Sequence, residues 1–218
     1  MKIGVIGDKV NLSECVSKFT DHEVHLMEIN EMARQENNPD LLFHFTIEDN
    51  PEDLESLNSL KTPFIFLNTV KVSLAELTYV HGKLASNIYG FNGLPGFFDR
   101  PLLEVTSQGK ASLLEELFFK LGIDFLEVAD RVGMVTPRVV AMIINEAFYT
   151  VQEGTATKQD IDLGMKLGTN YPYGPFEWLE RIGVSHIYEL LEALYEDTKD
   201  PRYKICPLLK REYLLLSE

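Results

Sequence analysis

The sequence of 218 residues has little cysteine and little positive charge. Its two cysteines, Cys15 and Cys206, form no CxxC pair and no Cys/His cluster, which predicts a reducing compartment and no metal site. Only 20 lysines and arginines stand against 34 acidic residues, for a net charge of −14 at pH 7. Because such a surface repels phosphate backbones and anionic lipid, we expect neither a nucleic acid nor a membrane partner.

We also expect no signal peptide and no membrane span. The apolar start that ends at Gly7 meets Asp8 and Lys9 too early for a signal peptide, and no run approaches the roughly 20 residues of a membrane span. We therefore expect a cytoplasmic protein. At this length a chain buries about 70% of its unfolded surface, so its core needs no disulfide or metal.

Short β-rich runs alternate with helical patterns over the first 130 residues or so. Residues 64–67 are apolar at every position, which is expected of a strand that helices cover on both faces. Strands separated by helices predict an α/β fold with a doubly wound parallel sheet. The predicted strands are residues 2–7, 24–29, 41–47, 63–68, 87–90, 102–105 and 125–128.

Helical spacing replaces the strand pattern after residue 130. Residues 135–153 predict a long helix that ends before Gly154, and Thr157 predicts the N-cap of a helix that stops at Gly168. Further helices are predicted at residues 176–181 and 187–197. These patterns divide the chain into an α/β domain, residues 1–131, and an all-α domain, residues 132–218.

The first predicted strand ends at Gly7, where a dinucleotide-binding fold places its glycine-rich turn. In GxGxxG the second glycine lets the backbone approach a pyrophosphate, and the third lets the next helix pack on the strand. Lys9 and Leu12 occupy those two positions, and Asp8 adds negative charge. Glu28 holds the place of the acid that binds ribose hydroxyls, although it also fits a solvated loop residue. We predict that this turn has lost ordinary dinucleotide binding.

Five sequence blocks follow one another in the second half of the chain. With their spacing they resemble the C-terminal domain of the 3-hydroxyacyl-CoA dehydrogenase family, although physically they also fit helix ends and rigid turns. The resemblance implies a shortened Rossmann-like first domain, NAD-dependent oxidation of a 3-hydroxyacyl-CoA in fatty acid metabolism, and a homodimer formed through the helical domain. The blocks are residues 145–147, 153–157, 160–168, 171–177 and 182–183.

The resemblance extends without a gap from residue 90 to residue 104. In that register the general-base histidine of the family falls on Asn92, and the glutamate that orients it falls on Glu104. An imidazole accepts a proton near neutral pH, whereas an amide does not. The retained Glu104 is therefore predicted to lack the histidine that it serves in the family.

Two further family positions are also changed. The serine that holds the substrate oxygen matches Val70, and an asparagine of the site matches Pro137. The resemblance therefore implies one retained catalytic position, Glu104, and three degenerate ones. The implied cofactor-binding residues for NAD are Gly7, Glu28 and Asn68, and no metal ligand set is predicted.

The connection between Glu28 and Leu41 is too short for the helical arm with which the family contacts CoA. Three hypotheses follow from the sequence. The first is an impaired or inactive homologue that serves as a binding or dimerising partner. The second is an active oxidoreductase of the 3-hydroxyacyl-CoA type with a relocated site, and the third is a protein that binds an acyl-CoA-like small molecule in the old cleft.

Overall fold

The computed structural model describes residues 1–32, 38–107 and 111–216. The chain divides into two compact units, Met1–Met134 and Val135–Glu218. Within the described ranges, no helix combines the length and apolar character that crossing a bilayer requires.

The first unit is built on one sheet of seven strands, counted over the described residues. Their order across the sheet is β2-β1-β3-β4-β5-β6-β7, and all neighbours are parallel except β5 and β6. The predicted doubly wound α/β fold is confirmed. The strands are β1 (Lys2–Ile6), β2 (Glu23–Leu26), β3 (Leu41–His44), β4 (Phe64–Asn68), β5 (Ile88–Phe91), β6 (Leu102–Thr106) and β7 (Asp124–Glu127).

Strand β6 departs from the predicted parallel arrangement. Only residues 92–101 separate it from β5, and they contain no helix. A parallel crossover needs a dozen or more residues, usually with a helix, so the chain turns back and β6 runs antiparallel to β5.

Helices cover both faces of the sheet. An aromatic-rich core on one face includes Phe43 and Phe66, which stack with their ring centroids 5.3 Å apart, and it buries residues of α1 and α5. The core on the other face buries residues of α2, α3 and α4. This two-sided burial explains why β4 is apolar along most of its length. These helices are α1 (Lys9–Lys18), α2 (Ile29–Met32), α3 (Asp53–Ser59), α4 (Leu74–His81) and α5 (Ala111–Leu121).

The strand order reverses at β1, which lies between β2 and β3. In open α/β sheets a ligand crevice forms at such a switch point, outside the carboxyl ends of the strands. Here the Phe45 N–H, just after β3, donates to the Ile6 carbonyl oxygen at 2.8 Å. The Phe98 ring, from the β5–β6 connection, packs on the Phe45 ring with centroids 5.1 Å apart. The Phe45 and Phe98 rings therefore occupy space at the carboxyl end of β3, next to β1.

The second unit is helical. Thr157 caps α7 in a capping box with Asp160, and Gly154 takes a left-handed φ of 72° after α6, as predicted. The predicted end at Gly168 is wrong, because α7 continues to Thr169 and Asn170, with φ 57°, ends it. The C-terminal helix was not predicted. The elements are α6 (Thr136–Gln152), α7 (Lys158–Thr169), α8 (Pro175–Ile182), α9 (Val184–Thr198), a 3₁₀ turn (Pro201–Tyr203) and α10 (Pro207–Leu215).

The core of the second unit surrounds α8, which buries one side of its length. Trp178, the single tryptophan of the chain, is buried there, and the Tyr173 ring meets it edge-on with centroids 5.0 Å apart. The Phe176 ring contacts the Phe148 ring of α6 in the same edge-on manner. Aromatic contacts therefore fix α8 against its neighbours.

Candidate functional site

The turn after β1 is closed by its own side chains. The Asp8 carboxylate accepts hydrogen bonds from the Val10 and Asn11 amides at 2.8 and 2.9 Å, while the Asn11 side-chain oxygen accepts one from the Asp8 amide at 3.0 Å. A Cβ on Gly7 would lie 2.4 Å from that Asn11 oxygen. A larger residue at position 7 would therefore displace the Asn11 side chain that covers Gly7.

This capping box uses the donors that attract anions to helix N-termini. The first amides of a helix have no partner within the helix, and phosphate groups bind them with help from the helix dipole. At α1 a carboxylate of the chain itself holds that place. The negative charge of Asp8 was predicted to oppose phosphate binding, but its capping role was not predicted, although the D-x-x-N spacing of residues 8–11 signals it.

Asn68 joins the carboxyl ends of two strands. Its side-chain N–H donates to the Phe45 carbonyl oxygen at 3.1 Å, and its side-chain oxygen accepts from the Gly93 amide at 3.0 Å. Both halves of this buried amide are therefore bound to backbone, so Asn68 crosslinks the segments after β3 and β5.

A buried ion pair joins the segments after β3 and β4. The Glu48 carboxylate accepts from the Lys71 amide at 2.7 Å and lies 3.2 Å from the Lys71 ammonium. Burial raises the pKa of Glu48, which the Lys71 charge and hydrogen bonds partly oppose. The pair fixes these two segments to each other at the carboxyl edge of the sheet.

The N-terminus of α4 is also occupied by an acid. The two oxygens of the Asp130 carboxylate accept from the Leu74 and Ala75 amides, each at 2.8 Å, and the Ser73 hydroxyl accepts from the Glu76 amide at 3.0 Å. The free amides of this helix start are therefore satisfied within the first unit.

The structure brings Asn92 and Glu104 together. Gly90 lies opposite Thr106 on the antiparallel strands, and the Asn92 amide continues the pairing by donating to the Glu104 carbonyl oxygen at 3.0 Å. Directly opposed residues share a face of the sheet, so both side chains point the same way. Asn92 is 2% exposed and Glu104 is 5% exposed. The Asn92 side-chain oxygen accepts a long bond from the Leu94 amide, at 3.4 Å.

Two buried hydroxyls flank this pair. The Oγ1 atoms of Thr69 and Thr106 have no hydrogen-bond partner among the described residues. A Cβ on Gly90 would lie 2.1 Å from Thr69 Oγ1 and 2.5 Å from Thr106 Cγ2, so only glycine fits between them. Neither threonine was predicted as a site residue; the available signal was that Thr106 lies two residues after Glu104 and therefore on the same face of its strand.

The remaining predicted residues lie in separate settings. Val70 is fully buried, and its carbonyl oxygen accepts from the Gly133 amide at 2.6 Å. Glu28 is exposed in the loop between β2 and α2. Pro137 lies in the first turn of α6, in the second unit, where its missing N–H suits a helix start.

Among the described side chains, His44 is a candidate for a base, and a cluster of His, Cys, Asp or Glu would be a candidate for a metal site. His44 is fully buried at the end of β3, with its Nε2 atom 2.9 Å from the Asp53 carboxylate. Burial lowers the pKa of His44, and the bond to Asp53 opposes that shift. Within the described part of the chain, no three His, Cys, Asp or Glu side chains converge on a metal position.

The second unit carries an open apolar groove of about 580 Å³. Helix α6 forms one side with Val139, Met142 and Ile143, and Ile161 and Met165 of α7 form another. Glu146 and two arginines, Arg138 and Arg202, also line it.

The first of the five sequence blocks, residues 145–147, anchors the C-terminal segment to α6. The buried Asn145 side chain donates to the Lys204 carbonyl oxygen and accepts from the Cys206 amide, both at 2.9 Å. The Gln152 side-chain oxygen accepts from the Leu208 amide at 3.0 Å. This part of the family pattern is therefore architectural.

Comparison with known proteins gives three informative matches. The family model of the 3-hydroxyacyl-CoA dehydrogenase C-terminal domain matches residues 133–214. A 3-hydroxyadipyl-CoA dehydrogenase of Escherichia coli (strain K12) is 48% identical over 96 residues, which are 44% of this chain and 20% of that protein. A Bacillus subtilis (strain 168) protein named probable 3-hydroxybutyryl-CoA dehydrogenase is 32% identical over 167 residues, 73% of this chain and 58% of that protein.

A solved structure resembles the fold of the whole chain. It is the (S)-3-hydroxybutyryl-CoA dehydrogenase of Ralstonia eutropha, with a TM-score of 0.71 over 99% of this chain and 94% of that chain, at 21% identity. Fold and matches together define a hydroxyacyl-CoA dehydrogenase-like protein with a Rossmann-like sheet. More particularly, the chain belongs to the 3-hydroxyacyl-CoA dehydrogenase family, as a diverged member. The matched part of the chain spans between one fifth and three fifths of the length of the two curated relatives.

Proposed function

We propose that this chain is a non-catalytic member of its family, which forms a homodimer through the helical unit and does not use NAD as a hydride acceptor. The observation that carries the proposal is the Asp8 carboxylate seated on the first amides of α1. The proposal also places the chain in a reducing cytoplasm. The two cysteines, Cys15 and Cys206, fit this setting because they are buried and form no disulfide.

The cofactor implied by the family does not fit the β1–α1 turn. A pyrophosphate there needs the Val10 and Asn11 amides, which already bind the Asp8 carboxylate. Displacing that carboxylate forfeits a cap of about 1 kcal/mol and leaves two negative groups side by side. Lys9 and Leu12 further crowd the positions where the family turn has glycine. These features favour loss of NAD binding at this turn.

The proton-transfer residues support the same conclusion. A general base contributes about 10²–10⁴ in rate, and the Asn92 amide cannot take the hydroxyl proton. Val70 offers no hydroxyl to the substrate oxygen and is closed off in the core. Glu104 keeps its place but faces an amide rather than an imidazole.

A relocated active site has little support at His44, a buried histidine of β3 whose ring engages a carboxylate. Its ring is 0% exposed and already engages Asp53. A general base must come within hydrogen-bond reach of the substrate hydroxyl, which a ring sealed in the core does not do.

Self-association is supported by α7, none of whose side chains is buried. Leu163 and Leu167 stand out from it, 55% and 79% exposed, beside the apolar groove that α6 and α7 line. A two-fold interface uses one self-complementary patch. The exposed Leu163 and Leu167 side chains of each copy can therefore enter the apolar groove of the other copy. Glu146 and Arg202 at the groove have opposite signs, so each can face the other across a two-fold axis.

Thermal-shift titration with NAD and with acetoacetyl-CoA, together with sedimentation, tests the proposal. We expect no stabilisation by NAD and a dimer mass. Stabilisation by NAD with NADH formation from a 3-hydroxyacyl-CoA would overturn it. A monomer mass at every concentration would refute the dimer alone.

A double variant separates the cofactor defect from the missing base. We expect Asn92→His with Val70→Ser to form no measurable NADH, because the closed turn at Asp8 remains. Recovery of turnover in this variant would mean that the turn still accepts the cofactor. The same assay on the unchanged chain is its control.

A second function, binding of an acyl-CoA-like molecule without turnover, is favoured by one observation. Asn92 and Glu104 remain together as buried polar groups on one face, near the hydroxyls of Thr69 and Thr106, which have no hydrogen-bond partner in the described part of the chain. Such groups orient a carbonyl without chemistry. A thermal shift with acetoacetyl-CoA but not with NAD would select this function.

A further inference from the structure

Helix α7 is attached to the second unit mainly through polar contacts. Its side chains divide by position into a partly buried inner side and an exposed outer side. The inner residues are Ile161, Asp162, Met165 and Lys166, and the outer ones are Leu163, Gly164, Leu167 and Gly168. Because no side chain of α7 is buried, apolar burial alone anchors this helix weakly.

The first polar contact joins Asp162 to the start of α8. Its carboxylate accepts from the Phe176 amide at 2.8 Å, which satisfies one of the orphan donors of that helix. Gly174 lies directly against Asp162, since a Cβ there would stand 2.5 Å from the Asp162 Cα atom. The absence of a side chain at Gly174 therefore lets α7 approach the start of α8.

The second polar contact adds a charge pair one turn further along α7. The Lys166 ammonium contacts one oxygen of the Glu177 carboxylate, and the other oxygen accepts from the Gly174 amide at 3.0 Å. The hydrogen bond from Lys166 and that from Gly174 lower the pKa of Glu177. Asp162 and Lys166 thus bind the same end of α8 from successive turns of α7.

We propose that Asp162, Lys166 and Glu177 form a latch, the α7 latch, which positions the outer side of α7 for a second copy of the chain. Opening the latch releases residues 162–169 from α8 and weakens self-association, while Lys158 at the start of α7 keeps its contacts with Glu212 and Phe176 and the rest of the unit stays folded. The effect on self-association rests on the proposed dimer, whereas the contacts between α7 and α8 do not depend on it. The three are positioning residues, because their side chains join α7 to α8, whereas Leu163 and Leu167 form the exposed side of α7.

Hydrogen exchange followed by mass spectrometry tests the latch in the whole chain. In Asp162→Ala with Lys166→Met we expect the amides of 162–169 to exchange about tenfold faster or more, the change expected from losing a hydrogen bond to a charged group. The amides of α6 are expected to keep their rates. Lys120→Met is the matched control, because it breaks the exposed Lys120–Glu116 pair of α5 instead.

Gly174→Ala opens the latch by a different route and keeps every charge. Its methyl group would collide with the backbone of Asp162, so we expect the same local increase in exchange. Unchanged α7 rates in both variants, or an equal rise in α6, would refute the latch.

Sedimentation equilibrium completes the test, with exchange measured above and below the dimer dissociation concentration. We expect the latch variants to dimerise at least about tenfold more weakly than the unchanged chain and the Lys120→Met control. Full dimerisation with a released α7 would overturn the positioning role. If the unchanged chain is monomeric throughout, the proposed dimer fails, while the exchange contrast at α7 still decides the latch.

Discussion

Replacing Asp8 by alanine removes the carboxylate from the start of α1 and leaves the Val10 and Asn11 amides without their partner. If that carboxylate fills the anion position, its loss has two consequences. The first unit becomes less stable, and the freed helix start gains affinity for anions.

The expected loss can be worked from the contacts. Removing an N-cap side chain costs about 1 kcal/mol, and removing a negative charge from a helix N-terminus costs about 0.3–1 kcal/mol more. We therefore expect a loss of roughly 1.3–2 kcal/mol in the free energy of unfolding. In a chain of this size that lowers Tm by about 3–8 °C.

The assay is urea denaturation in chloride and then in sulfate at matched ionic strength. We expect sulfate to return part of the lost stability to Asp8→Ala beyond its general effect on the unchanged protein, because the anion binds the folded state. Asp21→Ala removes the same charge from an exposed turn and is the control. A loss below about 0.3 kcal/mol, or equal sulfate responses in all three proteins, would refute the capping argument.

Three further outcomes can be measured by chemical denaturation. Burial lowers the pKa of His44 from its usual 6.5, so the unfolded chain binds a proton more readily than the folded chain. The free energy of unfolding is therefore expected to be constant above about pH 7 and to fall below about pH 6.5. His44→Gln should lose less free energy of unfolding between the two pH ranges, and a loss equal to that of the unchanged chain would contradict this. Gly90→Ala is expected to cost about 1–3 kcal/mol, part of which Thr69→Ala returns if the clash is the cause. Asn145→Ala is expected to cost about 2–4 kcal/mol, and Asn145→Asp at least as much, because its buried carboxylate would face the Lys204 carbonyl oxygen; a loss below about 1 kcal/mol in either variant would count against this.

The strands of the fold were predictable because strand and helix periods differ and because Gly and Pro punctuate them. The run at 64–67 identified a strand with both faces covered, and Thr157 identified the start of α7. The reversal at β6 was not predictable from its own residues, since strand direction depends on the length of the connection. Gly168 misled the assignment of a helix end because Asn170 accepts a left-handed conformation nearly as well.

The candidate site was predictable only where the resemblance supplied a register. That register matched Asn92 and Glu104 to the histidine and the glutamate of the family, and the antiparallel pairing sets these two residues opposite each other. It said nothing about Asp130, which comes from a distant part of the chain to cap α4. Asn68 was assigned to a cofactor, whereas both ends of its amide bind backbone, and such pairing becomes visible only in three dimensions.

The position of Trp178 gives the helical unit an optical reporter of its own. Indole emission arises from the helical unit alone, because the α/β unit contains no tryptophan. Far-ultraviolet circular dichroism, in contrast, records both units together. Melting curves followed by the two signals will therefore coincide if the halves unfold as one cooperative block, and will separate if each half melts at its own temperature.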